Sequence, residues 1–135
     1  MKTSDVIIVG SGASGLFNAL FLPQDYKVIV ITKKEVEESD SFLAQGGISA
    51  LKNPEDYDSY FEDTMKAGHY ENDKGAVEKM IKESPQIIQD LKDFGVRFDL
   101  KDGEIEFTRE GGHSTFRILH HEDLTGKEIT SHLYE

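Results

Sequence analysis

A continuous β-branched run, Val6–Val9, leads directly into a glycine-rich turn, Gly10–Gly15. Such a run is typical of a strand buried on both faces of a parallel sheet. The mostly apolar stretch 16–22 predicts a helix after the turn, and a second β-branched run, 28–31, predicts a second buried strand. Strand, glycine turn, helix and strand form a βαβ unit, so we expect an α/β fold of the Rossmann type.

The turn itself reads Gly10-Ser11-Gly12-Ala13-Ser14-Gly15, which is a complete G-x-G-x-x-G pattern. The first glycine permits the tight turn, the second lets the backbone approach a pyrophosphate, and the third lets the helix pack close to the strand. The amides and the dipole of the helix N-terminus then hold the phosphate charge. Because the turn lies between a strand and a helix, this context favours dinucleotide binding over a merely structural turn.

An acidic residue for the adenosine ribose is expected about 20 residues further on, at the end of the second strand. The strand ends at Ile31 and is followed by Thr32-Lys33-Lys34, while Glu35 fits the count but lies past the strand. Two interpretations stay open. Lys33 meets a 2′-phosphate in an NADP site, or Thr32 and Lys33 serve the adenosine side of FAD.

Beyond the second strand, the pattern predicts a long polar and glycine-rich loop over 32–50, then helices, a small β-hairpin and the start of a further helix. Loops of that length inside a compact domain are usually functional. The predicted signals are a helix start at Asn53 and Pro54, a cap at Asn72, a helix restart at Ser84 and Pro85, a hairpin turn at Asp102 and Gly103, and a helix over 125–135.

Composition excludes several classes of function. The net charge of −11 argues against nucleic acid and anionic membranes as partners. The chain contains no cysteine, which excludes disulfides, thiol catalysis and Cys-ligated zinc. No apolar run approaches the roughly 20 residues of a membrane span, so we expect a cytoplasmic protein.

Several further motifs follow the glycine turn in a fixed order: Thr32-Lys33, Ala44-Gln45-Gly46-Gly47-Ile48, Thr108–Ser114, Arg117–His120 and Asp123–Gly126. The ordered set resembles the succinate dehydrogenase and fumarate reductase flavoprotein superfamily. Within it, the set is most similar to the L-aspartate oxidase family, whose members begin quinolinate and NAD biosynthesis. The resemblance covers nearly the whole chain.

The resemblance implies FAD as the cofactor and favours it over NADP. It places the pyrophosphate on the glycine turn and the adenosine half near Lys33. It places the ribityl and isoalloxazine portion along Asp40, Ser41, Phe42, Leu43, Ala44, Gln45, Gly46 and Gly47. Membrane-bound relatives attach flavin covalently to a histidine at the position of Asp40. Because a carboxylate cannot make that link, we expect non-covalent FAD.

A second loop, Arg109-Glu110-Gly111-Gly112-His113-Ser114, carries an acid beside a flexible joint. Succinate and fumarate enzymes resemble this chain at the glycine pair but lack the acid. Aspartate is succinate with an α-ammonium, so Glu110 is our candidate for orienting the substrate. The alternative is that Arg109 and Glu110 form a surface pair.

Other ionisable residues carry weaker signals. His113, His120 and His121 match no ligand spacing, so we expect no metal site. Arg117 either pairs with Glu122 or Asp123 or faces an anionic ligand.

Together these features predict flavin-dependent oxidation of L-aspartate to iminoaspartate, with oxygen or fumarate as the acceptor. The alternatives are a soluble fumarate reductase, which Glu110 disfavours, and a nucleotide-binding module without catalysis. We expect residues 1–135 to be an N-terminal part of the FAD-binding domain, without the capping and C-terminal helical domains. We expect this part to be inactive alone and able to associate with itself through an unpaired sheet edge.

Overall fold

The computed structural model describes residues 3–135 and divides them into two compact units. Unit 1 contains the residues up to Gly46 together with Asp123–Glu135, and unit 2 contains Gly47–Glu122. No helix within the described range 3–135 is long and apolar enough to cross a membrane.

Unit 1 is built on the predicted βαβ arrangement. Strand β1 (Val6–Val9) is followed by helix α1 (Ala13–Leu20) and strand β2 (Val28–Ile31). The two strands pair in parallel, with Val6 opposite Val28 and Val9 opposite Ile31. Helix α2 (Asp40–Leu43) and helix α5 (Thr125–Tyr134) pack against each other in the same unit.

The sheet of unit 1 is at most partly buried, and more so on one face than on the other, which corrects the expectation of strands buried on both faces. Burial alternates along β1, where Ile7 is 57% and Val9 is 84% exposed. Ile31 on β2 is also exposed. A continuous β-branched run is typical of a strand with apolar layers packed on both faces. Among residues 3–135, no helix covers the second face of this sheet.

Unit 2 combines two long helices with short antiparallel strands. Helix α3 (Tyr57–Ala67) and helix α4 (Lys74–Asp93) pack around Tyr60, Met65, Val77 and Ile81. Strands β3 (Ile48–Ser49), β6 (Phe107–Thr108) and β7 (Ile118–Leu119) form a sheet with β7 in the centre. Strands β4 (Leu100–Lys101) and β5 (Glu104–Ile105) form the predicted hairpin.

Helix α4 is continuous, although the sequence predicted a new start at Ser84 and Pro85. Proline has no N–H and would leave the carbonyl of Ile81 without its helical donor. The Ser84 hydroxyl donates to that carbonyl at 2.7 Å and accepts the Leu51 N–H at 2.8 Å. The serine therefore replaces the lost bond and lets the helix pass through the proline.

Helix caps were predicted with mixed success. Asn53 caps as expected, because its side chain accepts the Asp56 N–H at 3.1 Å, although a 3₁₀ turn (Pro54–Asp56) precedes α3. The prediction of Asn72 as the next cap was wrong, since Asp73 accepts the Ala76 N–H at 2.8 Å instead. Asn and Asp are nearly equal as N-caps, so adjacent candidates are hard to separate from sequence.

Candidate functional site

The glycine turn of unit 1 has the geometry that its spacing predicts. Gly10 has a φ of +114°, and its N–H donates to the Ile31 carbonyl at 2.8 Å, which ties the turn to the neighbouring strand. A Cβ on Gly15 would overlap the Gly10 carbonyl oxygen. The third glycine is therefore required for the close approach of α1 to β1.

No side chain among residues 3–135 caps the N-terminus of α1. Gly12 is the N-cap residue, makes no side-chain cap bond, and is followed by a first turn without an acidic residue. The first N–H groups of a helix have no partner within the helix, and the helix dipole adds partial positive charge there. This end of α1 is thus suited to an anionic group.

Side chains after β2 brace the turn from the other side. The Ser11 hydroxyl is buried and donates to the Thr32 hydroxyl at 2.8 Å, and Thr32 donates to the Lys34 carbonyl at 2.8 Å. Lys34 pairs with Glu38 at 2.9 Å on the surface. The side chain of Lys33 is exposed, and Glu35 lies past β2 as predicted. Lys33 is consequently the cation after β2 that is accessible to a ligand.

The segment predicted as a long loop over 32–50 contains regular structure, so that prediction was wrong in part. A 3₁₀ turn (Val36–Glu38) precedes α2, and the Ser39 hydroxyl caps α2 by accepting the Phe42 N–H at 3.2 Å. Short local elements of three or four residues are below the length at which periodicity can be detected. Asp40 is exposed in the first turn of α2.

Gly126 is a residue of unit 1 that sequence reasoning noted only as part of a motif. Its N–H donates to the Ala44 carbonyl at 3.0 Å, and a Cβ there would overlap the Ser41 and Ala44 carbonyl oxygens. Helix α5 therefore begins directly on the segment that the resemblance assigns to flavin. A glycine just inside a helix start was the available signal for this close approach.

In unit 2, the Glu110 carboxylate accepts the backbone N–H of Gly47 at 3.3 Å. Arg109 lies over the Phe116 ring, with its guanidinium carbon 5.6 Å from the ring centroid. Both side chains are exposed, and the described contacts do not pair them with each other. Glu110 thus joins the Glu-Gly-Gly loop to the last residue of the Ala-Gln-Gly-Gly motif.

Of the two interpretations left open for Arg117, the pair with Glu122 or Asp123 was wrong. Arg117 is fully buried and makes a bidentate pair with Asp56, at 2.9 Å from Nε and 2.8 Å from Nη2. Its Nη1 donates to Asp63 at 2.6 Å. Sequence proximity suggested the nearby acids, but the partners come from the turn before α3 and from α3 itself.

The buried cluster shifts the acidities of its members. The hydrogen bond from Arg117 is the main cause that lowers the pKa of Asp56 to about 2. Burial alone would raise the pKa of Asp63, but hydrogen bonds from Ser114 and Arg117 outweigh it and lower that pKa below its ordinary value. Both carboxylates are consequently ionised partners of Arg117 at neutral pH.

The histidines His120 and His121 share one carboxylate. Their Nδ1 atoms lie 3.2 and 3.3 Å from the two oxygens of Asp99, which also accepts the Glu122 N–H at 2.8 Å. No group of three or more potential ligands in the described part of the chain is arranged to hold a metal ion. Asp99 therefore supports a turn in unit 2.

The predicted flavin residues divide between the units. Gly10–Gly15, Lys33 and Asp40–Gly46 lie in unit 1, whereas Gly47 and Glu110 lie in unit 2. Within unit 1, the turn, the end of β2 and α2 belong to one compact body, and a Cβ on Gly12 would touch the Ser41 hydroxyl. The ordered motifs of the N-terminal half are thus brought together in space.

Comparison with known proteins gives concordant results. The profile of the FAD binding domain family matches residues 5–135. The L-aspartate oxidase of Clostridium perfringens is 42% identical over 99% of this chain, and that of Clostridium acetobutylicum is 45% identical over 97%. The chain spans only 30% of the length of each of these relatives.

Among solved structures, Mycobacterium smegmatis Sdh1 in complex with UQ1 superposes with a TM-score of 0.87 at 32% sequence identity. The match covers 98% of this chain and 23% of that one. The fold of this chain is therefore shared with part of a chain that is several times longer.

Proposed function

We propose, since the chain belongs to the FAD binding domain family, that it forms part of a flavoenzyme that oxidises L-aspartate to iminoaspartate. The support is the 42–45% identity to two L-aspartate oxidases over nearly the whole chain, together with the placement of Glu110. Because the chain spans less than a third of their length, we infer that these 135 residues do not turn over aspartate alone.

The residues present fit FAD. The uncapped start of α1, with no acid in its first turn, suits the pyrophosphate, and a Cβ at Gly15 is excluded by the backbone. Exposed Lys33 lies after β2, on the adenosine side. We assign the ribityl and isoalloxazine portion to 40–47, whose start is held by the Ser39 cap and by Gly126.

We infer that the flavin is held without a covalent bond. The position that would carry an attaching histidine holds Asp40, an exposed carboxylate in the first turn of α2. Acid precipitation of the FAD-loaded protein should release all yellow colour into the supernatant. Colour that stays with the precipitate would contradict this assignment.

Glu110 is the residue that distinguishes aspartate from succinate in this proposal. One of its carboxylate oxygens is held by the Gly47 N–H, which limits where the exposed side chain can go. The other oxygen remains able to accept a hydrogen bond from the α-ammonium of aspartate. A charge-assisted bond of this type contributes about 1.5–3 kcal/mol.

The two carboxylates of aspartate need cationic partners, preferably bidentate arginine. Arg117 is committed to Asp56 and Asp63 inside unit 2, and Arg109 lies over Phe116. We therefore propose that neither Arg109 nor Arg117 binds the substrate carboxylates.

FAD, held by Gly10–Gly15, Lys33 and 40–47, would supply the two-electron oxidant: the α-carbon of aspartate would lose a hydride to it and the ammonium would lose a proton, which leaves the iminium form of iminoaspartate. The chain's own residues bind and orient: the glycine turn holds the cofactor and Glu110 holds the ammonium. Oxygen or fumarate then takes the electrons. We place the reaction in the cytoplasm, at the start of quinolinate and NAD biosynthesis.

A chimera tests the proposal. The 134 aligned residues of the C. perfringens L-aspartate oxidase are replaced by this chain, with and without Glu110→Gln. We expect the unsubstituted chimera to oxidise aspartate. The substitution should lower kcat/KM for aspartate by about 10- to 150-fold, and that for fumarate reduction much less.

Arg109→Gln is the matched control, since it removes the charge of the neighbouring residue, whose guanidinium lies over the Phe116 ring. Equal losses for aspartate and fumarate in the Glu110→Gln chimera would mean that Glu110 only supports its loop. A folded, FAD-loaded chimera that never oxidises aspartate would contradict the function itself.

A further inference from the structure

Every hydrogen-bond donor of the buried Arg117 guanidinium has an acceptor in unit 2. Nε and one Nη2 hydrogen serve Asp56, at 2.9 and 2.8 Å, and the second Nη2 hydrogen serves the Ser59 hydroxyl at 2.7 Å. One Nη1 hydrogen serves Asp63 at 2.6 Å. The fifth donor points at the imidazole Nδ1 of His113, 3.0 Å away.

This last contact fixes the direction of a hydrogen bond. A guanidinium can only donate, so the Nδ1 atom of His113 must accept, and the proton of the neutral ring must then reside on Nε2. The opposite tautomer would place two N–H groups against each other and leave a buried donor of Arg117 without an acceptor. The cost of such a donor favours the Nε2–H tautomer by about tenfold or more.

The surroundings prevent the guanidinium from turning away. Tyr60 stacks beside it, with 4.8 Å between the guanidinium carbon and the ring centroid, and the same ring lies 6.2 Å from that of His113. Asp63 is held in turn by the Ser114 N–H at 2.7 Å and the Ser114 hydroxyl at 2.8 Å. The loop that carries His113 is thereby tied to α3.

His113 also lines a cavity of about 470 Å³ in unit 2. The other lining residues are Asp63, Lys66, Ala67, His69, Gly112 and Ser114. The Asp63 charge is turned inward to Arg117 and Ser114, which leaves the Lys66 ammonium as the cation of the cavity wall. His113 and Lys66 line the same cavity, and an imidazole N–H and an ammonium are both donors that suit a carboxylate oxygen.

We propose that Arg117 is a positioning residue that holds His113 as an Nε2–H donor towards this cavity, where it receives a small carboxylate. The role does not rest on FAD or on aspartate oxidation, because none of the groups involved is assigned to the flavin or to aspartate. In this proposal Arg117 orients His113 in addition to forming salt bridges with Asp56 and Asp63.

Nitrogen-15 NMR of the imidazole rings in the 135-residue chain at pH 8 tests the proposal directly. His113 should show a pyridine-type Nδ1 and a pyrrole-type Nε2. His69, which lines the same cavity with an exposed ring, is the internal control and should show a mixture of tautomers. A protonated Nδ1 in His113, or the same mixture as in His69, would overturn the proposal.

Two variants and one titration complete the test. Arg117→Lys removes the donor to Nδ1 while keeping a charge, and should move His113 towards the tautomer mixture of His69. Ser59→Ala removes a different partner of Arg117 and should leave the His113 tautomer unchanged. If Arg117→Lys does not fold, the wild-type tautomer alone decides the positioning role.

Sodium succinate is the probe for the cavity, with sodium chloride at equal ionic strength as the control. Saturable shifts of the His113 Nε2 and Lys66 Nζ signals with succinate alone support the proposal. Identical responses to both salts would show that the donor does not receive a carboxylate, and would overturn it.

Discussion

The two units differ in what stabilises them. Unit 2 buries eleven hydrophobic side chains, and it also buries Arg117, whose guanidinium N–H groups all have acceptors. Among its described residues, unit 1 buries four hydrophobic side chains, those of Leu16, Val36, Ile129 and Leu133, and leaves Ile7, Val9 and Ile31 of its strands exposed. Its best-formed feature is a turn with an uncapped helix end. Unit 2 thus has the larger hydrophobic core, whereas unit 1 carries the glycine turn that we propose as the FAD site.

The largest expected effect is on the arginine of unit 2. Arg117→Met leaves Asp56 and Asp63 buried without a cation, which should destabilise unit 2 by about 3–5 kcal/mol. Hydrogen exchange of the α4 amides under native conditions measures the change unit by unit. Arg109→Met is the control and should cost at most about 1 kcal/mol, because its cation–π contact is exposed. Equal effects of the two substitutions would remove the contrast between the units.

Acid should weaken unit 2 through the same cluster. The pKa of Asp56 is about 2 in the folded chain against 3.8 ordinarily, which corresponds to about 2 kcal/mol at neutral pH. Because the folded-state pKa is the lower one, this contribution is complete above about pH 4 and disappears as the pH falls towards 2. Urea denaturation of the wild type and Asp56→Asn across pH 2–6 measures it. An unchanged pH slope in the variant would mean that other carboxylates carry the acid sensitivity.

A methyl group at Gly15 should damage unit 1 and spare unit 2. The new Cβ meets the Gly10 carbonyl oxygen, and such overpacking costs typically about 1–3 kcal/mol. Hydrogen exchange of the β1 amides is the measurement. Gly111→Ala is the control, since a Cβ there meets nothing within 4 Å. Faster exchange in α4 after Gly15→Ala would show that the units do not respond separately.

The smallest effect on stability is expected at the exposed face of unit 1. Val9→Lys should change the free energy of unfolding by less than about 0.5 kcal/mol, because Val9 is already exposed. We predict that the chain associates with itself through this part of the sheet and that Val9→Lys reduces the association, since apolar sheet faces and open edges attract other copies. Sedimentation velocity at several concentrations follows this. Identical association of Val9→Lys and the wild type would place the contact elsewhere.

The sequence predicted those elements for which a residue type is tied to one local conformation, such as β-branched residues in strands and glycine in tight turns. Both strands of unit 1 were predicted with their observed bounds, since β-branched runs and the Gly10–Gly15 spacing leave few alternatives. The Asp102–Gly103 hairpin was also predicted, and both residues have a positive φ. These are local signals, in which the chain positions that interact are close in sequence.

The rest depends on contacts between distant positions. Arg117 reaches Asp56 across 61 residues and Asp63 across 54, and no local pattern predicts which acid an arginine will meet. The continuity of α4 depends on a single hydroxyl, that of Ser84, beside Pro85. The exposed faces of Ile7 and Val9 could not be predicted either, because strand composition does not reveal which layers a given chain supplies.

The central claim is that the uncapped start of α1 in unit 1 is a phosphate site for FAD. The direct test is to record amide NMR spectra of the 135-residue chain while FAD is added to millimolar concentration, with riboflavin, which lacks the pyrophosphate, as the matched control. We expect saturable shifts of the Ala13, Ser14 and Gly15 amides with FAD but not with riboflavin, and unmoved amides in α4. Unmoved amides at 13–15, or the same shifts with riboflavin, would contradict it.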